Sequence, residues 1–311
     1  EHNHANEGGG AIFFVSNDRS GSLFIRDSVL VSNPSDGFET RGYPGIFVLA
    51  NGPPQVENSI IGDYPEVPDV CPDGAYCDSV IFHDSSGRWH AWSAIASKRF
   101  EDVFYFGDPG DVAFAGDWDC DGIDTPGLYR RSDGAVYLRN SNTQGAADVR
   151  FFFGNPGDLP LAGDFDGDGC DSLSIYRPSE SRIFVINELG SNNGGLGAAE
   201  YSFVFGNPGD KPFVGDFDGN GVDSVGLHRE STGLVYFRDT LTTGIAHSQF
   251  IYGDPGDVLV AGDWDGDGDD TVAVYRPSNG LLYVKFSNTQ GYADAAIPAG
   301  NGYQTFAAHH R

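Results

Sequence analysis

The chain has 311 residues and a net charge of −27, with no apolar run long enough to span a membrane. Hydrophobic residues make up 39% of it, enough for a sizeable core and too many for a disordered chain. Nothing resembles a basic patch, which argues against nucleic acid as a partner.

Met is absent and the chain begins at Glu1, which reads as a processed mature form or a fragment whose targeting segment has been removed. Four cysteines suit an oxidising compartment. Cys71 and Cys77 are near enough in sequence to pair, and Cys120 and Cys170 could join neighbouring repeats. Four cysteines still allow three connectivities, and free buried thiols are an alternative. No pair of Cys-x-x-Cys elements occurs, so zinc is not expected.

Residues 1–63 are set apart as an N-terminal assembly segment. Gly8-Gly9-Gly10-Ala11-Ile12-Phe13 and Leu23 to Val29 are followed by Gly45-Ile46-Phe47-Val48 and Val56-Glu57-Asn58-Ser59-Ile60. These pieces resemble two coils of a right-handed parallel β-helix. Two coils cannot bury a core alone, so another body is expected to cover the open end.

From residue 64 to about 300 the chain repeats. A degenerate unit comes first: Asp69-Val70-Cys71-Pro72-Asp73-Gly74 and Cys77-Asp78-Ser79-Val80 copy an acidic loop, and Phe82 to Trp92 copy the two strands after it. It is expected to carry a Cys71–Cys77 bridge in place of a metal. Four full units follow, each with an aromatic strand ending in Phe-Gly or Tyr-Gly, an Asp/Asn-Pro-Gly-Asp turn, a short apolar strand, the acidic loop and two further strands. Pro fixes φ and Gly supplies positive φ in those turns, which predicts type II geometry. Apolar residues alternate or run for a few positions without a helical period, so the fold is predicted to be all-β.

The acidic loops begin at Gly116, Gly163, Gly215 and Gly262, spaced by 47, 52 and 47 residues. Counting from the residue after that Gly, oxygen side chains stand at positions 1, 3, 5 and 8. They are Asp117, Asp119, Asp121 and Asp124; Asp164, Asp166, Asp168 and Asp171; Asp216, Asp218, Asn220 and Asp223; and Asp263, Asp265, Asp267 and Asp270. A hard divalent cation takes such oxygen donors, with Gly at position 6 for the sharp turn. Three carboxylates held about 4 Å apart repel by roughly 4 kcal/mol per pair at an effective dielectric near 20, so the loops call for a cation. Magnesium prefers to keep its waters, which leaves calcium, up to four ions. Asn220 makes the third site the weakest expected.

Four strands in a period of 40 to 50 residues is the pattern of a β-propeller. With Phe106-Gly107, Phe153-Gly154, Phe205-Gly206 and Tyr252-Gly253 beside the loops, the units resemble the FG-GAP/VCBS-type calcium-binding propeller repeats of secreted bacterial proteins, related to those of integrin heads. The resemblance covers residues 64 to 300. It departs from the family at the last acid, which falls at position 8, with Thr125, Ser172, Ser224 and Thr271 at position 9, where family loops often place it. The expected architecture is a five-bladed propeller closed by a C-terminal strand around Ala293 to Ala299, with 301–311 as a tail.

No nucleophile, base and orienter occur at a recognisable spacing, so no catalytic residue is assigned and no enzyme is expected. Arg130, Arg177, Arg229 and Arg276 recur after equivalent strands, with His83 at the matching place in the degenerate unit, and read as structural ion-pair partners. Trp118 and Trp264 alternate with Phe165 and Phe217 and read as core, whereas Trp89 and Trp92 are less constrained. The functional expectation is a secreted, non-enzymatic, calcium-stabilised structural or adhesion subunit that self-associates into a filament or surface layer. The alternatives are a calcium-dependent carbohydrate-binding module and a domain of a polysaccharide-degrading enzyme.

Overall fold

The computed structural model describes residues 11–26, 29–31, 40, 43, 45–57, 60–62, 77–84, 86–92, 100–190, 194–195, 198–300 and 302–308. Every regular element among them is a strand. The chain divides into two compact units, one of residues 1–68 with 276–282 and 296–301, the other of 69–275, 283–295 and 302–311.

Among the described residues of the first unit, the N-terminal segment forms three two-stranded parallel ladders. Ile12–Val15 pairs with Ile46–Leu49, Phe24–Arg26 with Gln55–Glu57, and Val29–Val31 with Ile60–Gly62. Each pairing joins segments a little over thirty residues apart in one direction, so the chain returns to its start once. Ile25 and Ile46 are buried, while Phe13, stacked on Phe47 at 5.0 Å, remains 60% exposed. Gly8 to Gly10, Asn58 and Ser59 lie outside the described residues.

Five sheets make a five-bladed β-propeller. The first repeat blade is Val112–Gly116, Thr125–Arg130, Ala135–Leu138 and Val149–Phe152; the second is Leu159–Gly163, Ser172–Arg177, Arg182–Val185 and Tyr201–Val204. The third is Lys211–Gly215, Ser224–Arg229, Leu234–Arg238 and Ser248–Ile251; the fourth is Val258–Gly262, Thr271–Arg276, Leu281–Val284 and Ala295–Pro298. The closing blade takes Tyr303–Ala308 as its inner strand, followed by Ser79–Asp84, Arg88–Trp92 and Phe100–Tyr105. The five inner strands stand side by side in a ring, with Tyr303–Ala308 between Val258–Gly262 and Val112–Gly116.

Two expectations are corrected. The aromatic strand does not lead a unit: it is the outer strand of the blade before, as Val149–Phe152 pairing with Ala135–Leu138 shows. In consequence Ala295–Pro298 is the outer strand of the fourth blade, and closure falls to Tyr303–Ala308, inside the segment read as a tail. A periodic sequence shows the period, not the point at which one sheet ends.

The core lies between successive sheets. Phe114, Trp118, Tyr129 and Phe151 of the first blade pack with Leu173 and Ile175 of the second. Equivalent clusters join the second blade to the third and the third to the fourth, and Ile81, Trp89 and Phe104 join the closing blade to the first. The second strand of each repeat blade is buried at five successive positions, because it has a sheet neighbour on either side and a blade on either face. Outer strands alternate, with Phe151 buried and Phe152 partly exposed.

The 52-residue spacing also acquires a structure. The second blade carries an insertion whose short strand Gly194–Gly195 adds in parallel to Phe151–Phe152 of the first blade, giving that sheet a fifth strand. It covers an edge that would otherwise present unpaired backbone groups.

Candidate metal centres

Each acidic loop follows an inner strand and is built on its position 1 aspartate. Asp164 Oδ1 accepts the backbone N–H of Gly167 and Asp168, at 2.7 and 3.1 Å, and Oδ2 accepts that of Gly169 at 2.8 Å. Asp263 repeats all three bonds in its loop, and Asp117 and Asp216 accept the N–H groups of positions 5 and 6 in theirs. Position 5 closes the turn, with Asp121, Asp168, Asn220 and Asp267 each accepting the N–H two residues on. Asn220 can fill this local role because its amide oxygen accepts as a carboxylate would.

Positions 1, 3 and 5 converge. In the groups Asp117, Asp119, Asp121; Asp164, Asp166, Asp168; and Asp263, Asp265, Asp267, one carboxylate oxygen from each residue lies within 4.8 Å of the others. The third loop brings two carboxylates, Asp216 and Asp218, beside Asn220. All four position 3 carboxyls are pushed above the ordinary range, first by burial and then by neighbouring carboxylates. The neighbours are Asp121 and Asp117 for Asp119, Asp168 and Asp164 for Asp166, Asp216 and Asp239 for Asp218, and Asp267 and Asp263 for Asp265. Asp265 Oδ1 is buried without a hydrogen-bond partner. Oxygen donors that repel one another, one of them an orphaned buried acceptor, fit a metal ion; the three groups can each hold one.

The position 8 aspartates are placed elsewhere. Asp171 Oδ2 accepts the N–H of Asp117 in the preceding loop at 2.8 Å, and its own N–H donates to the Asp117 carbonyl at 3.0 Å. Asp223 clasps Asp164 and Asp270 clasps Asp216 in the same reciprocal way. Asp78 of the closing blade clasps Asp263, so the degenerate unit keeps this part of the loop. Asp124 holds the corresponding place in the first loop and is buried. The clasp explains the glycine before each loop: a Cβ on Gly116, Gly163, Gly215 or Gly262 would stand 2.6 to 2.8 Å from the incoming carboxylate oxygen. At position 9, Ser172 Oγ turns inward to the Gly163 carbonyl and Thr271 Oγ1 to the Lys285 carbonyl.

A disulfide joins Cys120 of the first loop to Cys170 of the second. Cys77 is also disulfide-bonded, while Cys71, its expected partner, lies outside the described residues. A cavity of about 590 Å³ is lined by loop residues of all four repeat blades, with Asp117, Asp164, Asp216 and Asp263 around it and Asp78 from the closing blade.

Arg130, Arg177 and Arg229 of the recurring set are ion-paired. Arg177 grips the buried Asp158 with Nε and Nη2, both at 2.9 Å, Arg229 grips Asp210 likewise, and Arg130 pairs with Asp111. Each aspartate ends a Pro-Gly turn, so the pair ties that turn to the second strand. In those turns Gly110, Gly157, Gly209 and Gly256 all have φ above +90°. Trp118 and Trp264 are buried and donate their indole N–H to the Thr125 and Thr271 carbonyls. Trp89 is fully buried, donating to the Phe106 carbonyl, and so offers no stacking face. The Trp92 side chain lies outside the described residues.

One set of residues escaped the sequence reading. Arg139 and Arg238 fold their guanidinium groups into the loops that follow, donating to the Thr143 and Ala146 carbonyls and to those of Thr242 and Ile245. Lys285 does so more simply, to the Tyr292 carbonyl. Ile245 and Tyr292, at those loop tips, are 85% and 94% exposed.

The fold and the loops define a β-propeller whose repeated aspartate groups can hold metal ions. Among the described residues no helix is long and apolar enough to cross a membrane. No protein-family model matches the chain, and no curated protein matches it. Two solved crystal structures of BBS1N in complex with ARL6DN are similar to it. The one soaked with mercury is 10% identical, covers 60% of this chain and 57% of that chain, and has a TM-score of 0.33. The one soaked with lead is 12% identical, covers 78% and 68%, and has a TM-score of 0.36.

Proposed function

We propose that this chain is a calcium-stabilised propeller of FG-GAP/VCBS type that serves outside the cell as a non-enzymatic structural or adhesion subunit and self-associates. The observation that carries the reading is the employment of the acidic residues. Positions 1 and 5 hold loop backbone, position 8 holds the neighbouring blade, and positions 1, 3 and 5 face one another as a cation would require. All of these roles build the scaffold. Calcium supplies the charge that relieves repulsion within each loop, and its oxygen coordination suits flexible carboxylate sets. Disulfides and millimolar calcium both belong to the extracellular space.

Self-association is supported by the N-terminal ladders, which we read as two β-helix coils, since they leave Phe13 and Phe24 more than half exposed on a body too small for its own core. The test is electron microscopy together with sedimentation of the full chain, in calcium and after chelation. Ordered assemblies that dissolve on chelation are expected. Monomers under both conditions would overturn the subunit reading. A calcium-dependent glycan module is the second reading, favoured by the exposure of Tyr292 in a loop whose Asn288 donates to the Asp270 carbonyl; calcium-dependent retention on a glycan matrix, lost in Tyr292→Ala, would select it.

A further inference from the structure

Position 8 reads in sequence as the last ligand of its own loop, yet its carboxylate is directed away from that loop. Asp171 is bound through side chain and backbone to the N–H and the carbonyl of a single residue of the first blade, Asp117. That same Asp117 organises the first loop by accepting the N–H of Asp121 and Gly122, and it contributes to the first metal group. The arrangement repeats for Asp223 on Asp164 and for Asp78 on Asp263. Each time the grip falls on the residue from which the loop of the adjoining blade is built, and a glycine stands beside it so that the carboxylate can come close.

We infer that Asp171, Asp223 and Asp78 are positioning residues for the metal centres of the first, second and fourth loops, each acting across a blade boundary on a centre to which it donates no ligand. The inference rests on the metal reading given above. Fixing the peptide of position 1 sets the direction of its carboxylate before the ion arrives, so the ion need not spend binding energy on ordering the loop. Partners that orient a metal ligand typically change affinity by about 10- to 100-fold when lost. The ring would thereby share its sites, because each centre is complete only when the blade beside it is docked.

Tryptophan offers a site-resolved test, since position 2 is Trp118 in the first loop and Trp264 in the fourth but Phe165 and Phe217 in the other two. Terbium, an oxygen-seeking ion of calcium's size, is excited by a nearby indole. Measured against a Trp118→Phe, Trp264→Phe control, which retains Trp89 and Trp92, the added emission of the Trp264→Phe chain reads the first loop, and that gained when Phe165→Trp is put into the control reads the second. Asp171→Ala is expected to weaken terbium at the first loop by about 10- to 100-fold and to leave the second unchanged. Asp171→Asn keeps the acceptor oxygen and is expected to restore most of the first-loop affinity, whereas a ligand role at the second loop would be damaged by either change. Loss at the second loop, alone or with the first, overturns the inference. Should Asp171→Ala fail to fold by circular dichroism, Asp78→Ala in a Trp118→Phe background asks the same of the fourth loop, where unchanged emission overturns the inference. Absence of sensitised emission from the unmutated chain would instead overturn the metal reading itself.

Discussion

The first and second loops meet differently from the third and fourth, although all four share one backbone plan. In the first pair, position 4 of one loop and position 7 of the next are Cys120 and Cys170, and a disulfide joins them. In the second pair the same positions are Gly219 and Asp269, and the Asp269 carboxylate lies against Gly219 where a side chain would otherwise stand. Asp269 is pushed above the ordinary carboxyl range, first by burial and then by Asp267 and by Asp216 of the loop it approaches. One boundary is covalent, and the other sets like charges together beside the loop with the fewest carboxylates. Equivalent geometry can thus be held by a bond on one side of a ring and made dependent on counter-charge on the other.

The largest effect is expected from the covalent boundary. Cys120→Ser with Cys170→Ser should cost about 4 kcal/mol in urea unfolding, the entropy of a loop whose ends are 50 residues apart. A change under 1 kcal/mol would mean that the clasp alone holds that boundary. Next comes Gly215→Ala, whose methyl would enter the site of the Asp270 oxygen at the charged boundary; a loss of about 1 to 3 kcal/mol is expected. If the unfolding midpoint does not move, the close approach has no weight.

Acidity should separate the boundaries further. The position 3 carboxyls and Asp269 take up protons in the folded chain before they do so unfolded, so in chelator their contribution to stability falls as pH rises through their raised values. Melting of the metal-free protein should therefore be highest on the mildly acidic side, and calcium should abolish that slope. A metal-free melting temperature that climbs with pH just above the ordinary carboxyl range would contradict it; that range lies below the one in which His228, held below its ordinary value by burial, makes stability rise with pH. The smallest effect is reserved for Asn220→Asp, which supplies the third carboxylate. Tighter calcium binding at the third loop by calorimetry is expected, with little change in metal-free stability.

Much of this was legible in the chain. Recurring Gly-Asp-Trp/Phe-Asp phrases fix the repeat and its oxygen donors, and Pro-Gly turns fix the strand ends. That Arg177 is ion-paired follows from the same recurrence, whereas its partner Asp158 is given by the sheet. Other features depend on distances in sequence that no local pattern encodes. The partner of Asp171 lies 54 residues before it, and that of Asp78 lies 185 residues after it. Tyr303–Ala308 lacks the Gly-Asp at which the other four inner strands end, which hid it in an apparent tail. Asp78, by contrast, keeps its role where the loop around it has diverged, because the clasp needs one carboxylate and one peptide rather than the whole phrase.

Closure by Tyr303–Ala308 also bears on how the polypeptide emerges from the ribosome. Ser79–Asp84 is made more than two hundred residues before the strand that completes its sheet. Until residues 303–308 have emerged, that strand carries an open hydrogen-bonding edge and the circle cannot shut. The nascent chain therefore passes through an arc whose two ends are open strand edges, and truncation before residue 303 would leave the Ser79–Asp84 edge without its partner.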